Sequence, residues 1–313
     1  MLKLKYLCEN FDLARFALSH WNYDAAATEA CLPYFRISAS AVYPFVREGR
    51  RCFLRLLPAE EADERCLRGE LAFLGYLQAH NFPALRPIPA RNGETLLLLD
   101  TPWGAWTASA FTGVPGQPVG DLPMTAALAT TFGETLGRLH RLSMNWQSPL
   151  GCRNERSTLA WISGTLAANG APPVLLQAAR ETADALATLP RAQHIYGYIH
   201  YDFEPDNVFH DGDGCHVIDF GDSMQHFYAL DLVQALDELE PAVHAAFLIG
   251  YERHCPAPDE SLFPLMRRFR NLYACARLFH CLSEKPDPLP DWAPHLISRL
   301  EKRLAFLTEH LSH

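Results

Sequence analysis

No stretch of this chain approaches 18 uninterrupted apolar residues, so no membrane-spanning helix is expected. The opening residues, Met1-Leu2-Lys3-Leu4-Lys5-Tyr6, lack the apolar core and small-residue cleavage site of a secretory leader. Basic residues are also in short supply. Lys and Arg total 27 against 36 Asp and Glu, a formal charge of -9. That balance argues against a broad surface tracking nucleic-acid phosphates, but not against a phosphorylated small molecule held by a few cations or a metal. The nine cysteines (8, 31, 52, 66, 152, 215, 255, 275 and 281) form no C-x-x-C pair. Reduced thiols in a cytosolic protein are expected, not a disulfide framework. Neither repeats of fixed period nor low-complexity tracts occur.

What remains is an ordinary globular composition. The 313 residues are 49% apolar and 20% charged, enough for about two domains or lobes. One mixed-face helix is expected over residues 1 to about 30, closed by Asn22-Tyr23-Asp24. Strands follow at Tyr34–Ser40, Ala41–Val46 and Cys52–Leu57, the last two joined by the turn Arg47-Glu48-Gly49-Arg50. Ala59–His80 carries an apolar stripe at helical spacing, and Glu94–Asp100 and Ala105–Phe111 read as two more strands. The Gly/Pro-rich segment Thr112-Gly113-Val114-Pro115-Gly116-Gln117-Pro118 is the best hinge in the sequence. Beyond it come helices at Met124–Leu142, Ser157–Gly170 and Pro172–Leu189, a hairpin at 207–219, and helix over nearly everything after Ala229. The fold class is therefore α+β: a small lobe (1–111), a hinge (112–118) and a mainly helical large lobe (119–313), with a ligand cleft between the lobes.

The chemistry concentrates in His200-Tyr201-Asp202-Phe203-Glu204-Pro205-Asp206-Asn207 and Val217-Ile218-Asp219-Phe220-Gly221-Asp222. A hairpin folded about Asp213 sets Asn207 opposite Asp219. Pro205 discourages helix upstream, which leaves Asp202 on a loop at the same end. Two carboxylates and an amide oxygen thus converge, hard donors of the kind Mg²⁺ accepts while keeping waters and substrate phosphates. A calcium loop over 211–222 is rejected, because Cys215 and His216 stand where an oxygen ligand and a Gly are needed. Zinc from His200, His210, Cys215 and His216 lacks a ligand spacing.

This paired motif resembles the catalytic and metal loops of the aminoglycoside phosphotransferase/choline kinase family, which has a protein-kinase-like fold. Members read His-Gly-Asp-x-x-x-x-Asn and then Ile-Asp-Phe-x-Asp; the resemblance extends over most of the chain. It implies that Asp202 is the catalytic base toward an acceptor hydroxyl, and that Asn207 and Asp219 hold Mg²⁺ on the phosphates of ATP, or alternatively GTP. By the same resemblance Asp222 assists the metal or the acceptor, His200 holds the loop, and Asp231 supports it. Arg55 stands where members more widely have Lys. Glu70 falls inside the apolar stripe with Leu67, Leu74 and Leu77, and a carboxylate there needs a partner. Arg55–Glu70 is the expected ion pair, with Glu64 the second choice.

Departures from the family pattern are specific. Phe53 is bulky for a position lining the nucleotide, and Ser38-Ala39-Ser40-Ala41 replaces a glycine loop. Tyr201 replaces a Gly, so a left-handed backbone there would be strained. For the nucleotide base, residues Phe111 to Val114 would supply hinge backbone groups, while Phe209 and Ile218 would pack on the ring; plain core packing is the competing reading. Asp237, Glu238 and Glu240, or Trp103, Trp106 and Trp161, would suit a cationic acceptor, although a solvated helix face and ordinary packing compete. The leading expectation is an ATP/Mg²⁺-dependent kinase of a small-molecule hydroxyl: an amino sugar, an amino alcohol or a homoserine-like acceptor. The alternative is a catalytically weak nucleotide-binding regulatory protein, motivated by Arg55, Phe53 and Tyr201. A protein kinase is disfavoured, since no Ala-Pro-Glu follows Asp219.

Overall fold

A computed structural model describes residues 1–147, 151–257 and 259–311. The N-terminal stretch is broken rather than continuous. Asn10 and Asp24 each turn a side-chain oxygen onto a backbone N–H three residues on, at 2.8 and 3.0 Å. Each therefore caps a new helix, α1 (Phe11–Leu18) and α2 (Ala25–Cys31), so Asp24 opens a helix where it was expected to close one.

Strands β1 (Arg36–Ile37), β2 (Ala41–Arg47) and β3 (Arg50–Pro58) come next, with β1 far shorter than the run expected over 34–40. Asp63 caps α3 (Glu64–Ala79), after which β4 (Pro87–Ile88), β5 (Leu97–Thr101) and β6 (Gly104–Thr112) complete an antiparallel sheet. Its order is β1-β2-β3-β6-β4, with β5 also on β6. Of the sheet's two faces, one packs with α1 and α2 around Leu13, Trp21, Phe45 and Leu54. Helix α3 instead joins the larger core through Leu71, Phe73 and Leu77, and the Phe73 ring meets Tyr198 at 4.7 Å. The packing boundary thus runs through the small lobe, between sheet and α3.

After β6 come β7 (Gln117–Pro118), α4 (Ala126–Ser143), α5 (Glu155–Ala168) and α6 (Pro173–Thr188). Then come β8 (Tyr196–Ile199), β9 (Val208–His210), β10 (Cys215–Val217) and β11 (Met224–Phe227). Helices α7 (Ala229–Asp237), α8 (Pro241–Tyr251), α9 (Phe263–Ser283) and α10 (Ala293–His310) finish the chain. The β8–β11 pair was not legible in the sequence. It frames both functional loops, with Ile199 opposite Met224. Helices α4 and α8 cross closely: a Cβ at Gly133 would lie 1.9 Å from the Phe247 carbonyl oxygen. Among the described residues, no helix is long and apolar enough to cross a membrane.

The first residues clasp the two lobes. Lys5 pairs with Glu60 at 2.9 Å and Glu284 at 2.7 Å, and Lys3 also reaches both. The Lys3 N–H donates to Glu61 at 3.0 Å and the Lys5 N–H to the Glu284 carbonyl at 3.2 Å. Glu60 and Glu61 follow β3, whereas Glu284 ends α9.

Candidate active site

The hairpin β9–β10 carries the site. Its register pairs Val208 with Val217 and His210 with Cys215. Asp211 Oδ1 accepts the N–H groups of Asp213 and Gly214, at 3.0 and 2.9 Å, closing a four-residue turn. The hairpin dyad therefore falls between Gly212 and Asp213, not on Asp213. Asn207 consequently faces Ile218, whose N–H donates to the Asn207 carbonyl at 2.9 Å, and Asp219 comes one position later. Asp219 recovers the convergence by adopting a left-handed backbone (φ 60°, ψ 61°), which turns the chain sharply before Phe220.

Asp202 and Asn207 are locked together. Asn207 Nδ2 donates to the Asp202 carbonyl at 3.0 Å and to its carboxylate at 2.9 Å. That spends the amide's donors on the loop, and Oδ1 takes no hydrogen bond among the described residues. Gln234 Nε2 stands 3.4 Å from the other Asp202 carboxylate oxygen. Burial, reinforced by the Asp222 and Asp219 charges, pushes the Asp202 carboxyl up to about 6. Glu204 is raised to about 7 by burial and by Asp202 and Glu238.

Beneath the loop lies Asp231, fully buried on α7. Its carboxylate accepts the backbone N–H groups of His200 at 2.8 Å and Tyr201 at 2.7 Å, and its Oδ2 lies 3.0 Å from His140 Nε2 on α4. Tyr201 indeed has a positive φ of 74°, the conformation its Gly counterpart would hold without strain. The double hydrogen bond to Asp231 and burial of the tyrosine ring offset that cost. His200 Nε2 lies 2.8 Å from the Ile218 carbonyl, tying the 200–207 loop to the 218–222 loop.

From the small lobe, Arg55 on β3 meets Glu70 on α3 in a bidentate pair at 2.7 and 2.8 Å. Glu64 is engaged elsewhere, with Arg68 at 2.8 Å. The guanidinium lies 4.9 Å over the Phe111 ring. A Cβ at Gly221 would be 3.4 Å from Arg55 Nη1 and 3.5 Å from Asp219 Oδ1, so the Arg55 cation and the Asp219 carboxylate converge there. Arg55 Nε is buried without a hydrogen-bond partner among the described residues.

The remaining expected positions divide. Phe53 pairs with Phe111 across β3–β6, and half-buried Phe209 and Ile218 flank the other side of the hinge. The hinge docks as β7 on β9, where Gly116 has φ +92° and a Cβ would meet the His210 carbonyl at 2.3 Å. The N–H groups of Thr112 and Gly113 are committed to Arg86 and Arg51 carbonyls at 2.9 and 3.0 Å. That of Val114 has no partner among the described residues. Asp222 sits in a different setting from Asp219. Its carboxylate takes Arg277 Nη1 at 2.6 Å, with Arg153 at 3.6 Å, and these cations hold its carboxyl well below the usual range. Asp237 is likewise claimed, by Arg267 at 2.6 Å and Arg270 at 2.8 Å. Trp103 and Trp106 stand at the β5–β6 turn while Trp161 packs on Tyr273 from α5, so the three do not form one cage. Sequence reasoning missed Arg153, Gln234, Tyr273 and Arg277, which lie on helices or loops far from the motif and carry no local signal.

Residues 35–263 match the phosphotransferase enzyme family. The chain belongs to that family. Among curated proteins it is similar to the homoserine kinase of Caulobacter vibrioides (strain NA1000 / CB15N), with 27% identity over 273 residues covering 77% of this chain and 82% of the relative. It also resembles the amicoumacin kinase of Bacillus subtilis (strain 168), with 21% identity covering 61% of this chain and 58% of that one. Among solved structures, an amicoumacin kinase in complex with AMP-PNP, Ca²⁺ and Ami superposes at a TM-score of 0.75, with 18% identity and coverage of 96% and 94%. A microcompartment-associated aminopropanol kinase superposes at 0.70, with 20% identity and coverage of 97% and 98%. The fold is that of the protein-kinase-like phosphotransferases, and the chain is an enzyme of that kind.

Proposed function

We propose that this phosphotransferase is a cytosolic small-molecule kinase that moves the γ-phosphoryl group of ATP to an acceptor hydroxyl, with Mg²⁺ as its metal. The carrying observation is the loop architecture: Asp231 fixes the backbone at Tyr201, and Asn207 fixes the carboxylate of Asp202. A base must be aimed before it can be useful, and this one is aimed from both ends.

The donor set suits a hard cation. Asp219 offers a carboxylate and Asn207 an amide oxygen left free by its own amide's bonds to Asp202. Among the described residues no three or more His, Cys, Asp or Glu side chains could hold a metal by themselves, so waters and nucleotide phosphates would complete the coordination. Bound there, Mg²⁺ would neutralise charge on the phosphates. The orphaned Nε of Arg55 is a buried donor awaiting an oxyanion. Val114 N–H, Phe209 and Ile218 suit a purine, whether of ATP or GTP.

The acceptor oxygen attacks the γ-phosphorus as its bond to the bridging oxygen breaks, nucleoside diphosphate leaves, and the hydroxyl proton passes to Asp202. With its carboxyl near 6, Asp202 is ionised at neutral pH and more basic than a surface aspartate. The family's acceptors, amino sugars, amino alcohols and homoserine, set the class. A nucleotide-release assay over such a panel tests the reading: Asp202→Asn should lose on the order of 10²- to 10⁴-fold in kcat. Equal turnover by wild type and variant would remove Asp202 from the mechanism. Metal-dependent nucleotide binding without turnover of any acceptor would favour the regulatory alternative.

A further inference from the structure

Opposite the small lobe, α9 presents Arg270, Tyr273 and Arg277, spaced to share one face. Arg277 donates through Nη1 to Asp222 at 2.6 Å and lies 5.4 Å from the Tyr273 ring centroid. Arg153, from the loop before α5, donates to the Tyr273 hydroxyl at 2.8 Å and stands 3.6 Å from the same carboxylate. Two guanidinium groups thus share one aspartate, and one positive charge is left over. The Arg277 side chain is 22% exposed, and among the described residues its Nε and Nη2 make no hydrogen bond. Its charge also works against the upward shift that burial, Asp222 and Asp219 impose on Asp202. Beside it Tyr201 and Trp161 pack edge-on against Tyr273, at 5.1 and 5.7 Å, giving a partly apolar wall.

An oxyanion is the ligand such a cluster fits, since a held guanidinium with spare donors recognises carboxylate or phosphate. Two sources exist in the cleft, the transferring phosphoryl group and the acceptor. Arg55 serves the nucleotide from the opposite wall, with its own orphaned donor. We propose that Arg277, with Arg153 behind it, receives a carboxylate carried by the acceptor, so that this enzyme selects hydroxy acids over alcohols without an acidic group. An anionic acceptor brought beside nucleotide phosphates is repelled unless a cation meets it, and this is the cation in place. The inference rests on the kinase reading above and narrows its acceptor.

The test compares hydroxy acids with their decarboxylated alcohols: L-homoserine against 3-aminopropan-1-ol, and 4-hydroxybutyrate against propan-1-ol. Wild type should favour the acid in each pair by on the order of 10- to 100-fold in kcat/KM. Arg277→Gln should erase most of that ratio through the KM of the acid, and Arg277→Lys should restore part of it. Arg153→Gln supplies a second variant should Arg277→Gln fold poorly, and a smaller loss of preference is expected there. A wild-type preference for the decarboxylated alcohols overturns the proposal. So does a fall in kcat of equal size for both members of each pair, which would assign Arg277 to the phosphoryl group. Calorimetric binding of 4-hydroxybutyrate to the nucleotide-free enzyme reads the site without turnover. If neither the hydroxy acids nor the alcohols are phosphorylated, the kinase reading fails, while binding lost in Arg277→Gln would still support the anion site and absent binding would sink it.

Discussion

Arginine meets carboxylate on both walls of the cleft, but in different proportions. On the small-lobe side Arg55 and Glu70 stand one to one, side chains 9% and 4% exposed, with both terminal nitrogens spent on both oxygens. On the large-lobe side Arg277 and Arg153 divide a single Asp222, and water reaches all three. A closed pair has no net charge to offer; its work is geometric, setting α3 against β3 and leaving only Nε for a ligand. An open cluster keeps charge in reserve. The first arrangement positions, and the second recruits. His226 completes the series as a buried titratable group whose Nε2 has no hydrogen-bond partner among the described residues.

The largest effect should come from opening the closed pair. Glu70→Gln leaves a buried guanidinium uncompensated and should cost about 3–5 kcal/mol of stability by denaturant titration. A cost near zero would mean that water reaches Arg55 after all. Next is His226, which burial, outweighing the nearby Glu155 charge, holds down to about 4, below its ordinary 6.5. Between those values the unfolded chain takes up a proton that the folded chain refuses, so stability is present above about pH 6.5 and is lost as pH falls toward 4. The expected loss is about 2 kcal/mol at pH 5. Between pH 7 and 5 the wild type should lose more stability than His226→Asn by that amount; parallel stability–pH profiles would show that His226 is not held neutral. Smaller again is Asp222→Asn, about 1–2 kcal/mol, because solvent screens the two arginines it releases. Smallest is the clasp. Replacing Lys3 and Lys5 with Gln should lower Tm less than any of these, with the difference disappearing in high salt.

These clusters also mark what a sequence can reveal. Glu70 was legible because it interrupts an apolar stripe, and a stripe has a period. Asp202, Asn207 and Asp219 were legible because a short hairpin carries two of them, though a four-residue turn has its dyad between Gly212 and Asp213, one residue off the register expected about Asp213. The helical large lobe followed from its long amphipathic segments. In contrast, Asp222 reads as a continuation of the metal loop, and its true neighbours come from the loop before α5 and from α9. No local pattern joins three such segments; only tertiary packing does. Strands β8 and β11 escaped for a related reason, being four residues each and paired across the whole catalytic segment. The single N-terminal helix failed on caps, since Asn10 and Asp24 stand within otherwise helix-compatible sequence.

The clasp has a temporal meaning as well. Lys3 and Glu284 are separated by 281 positions, so their contact demands that nearly the whole chain be in place beforehand. It belongs to the end of assembly and the beginning of opening. The amide hydrogens of Lys3 and Lys5, bonded to Glu61 and Glu284, should therefore exchange with solvent faster than those of either core, which hydrogen exchange would read directly.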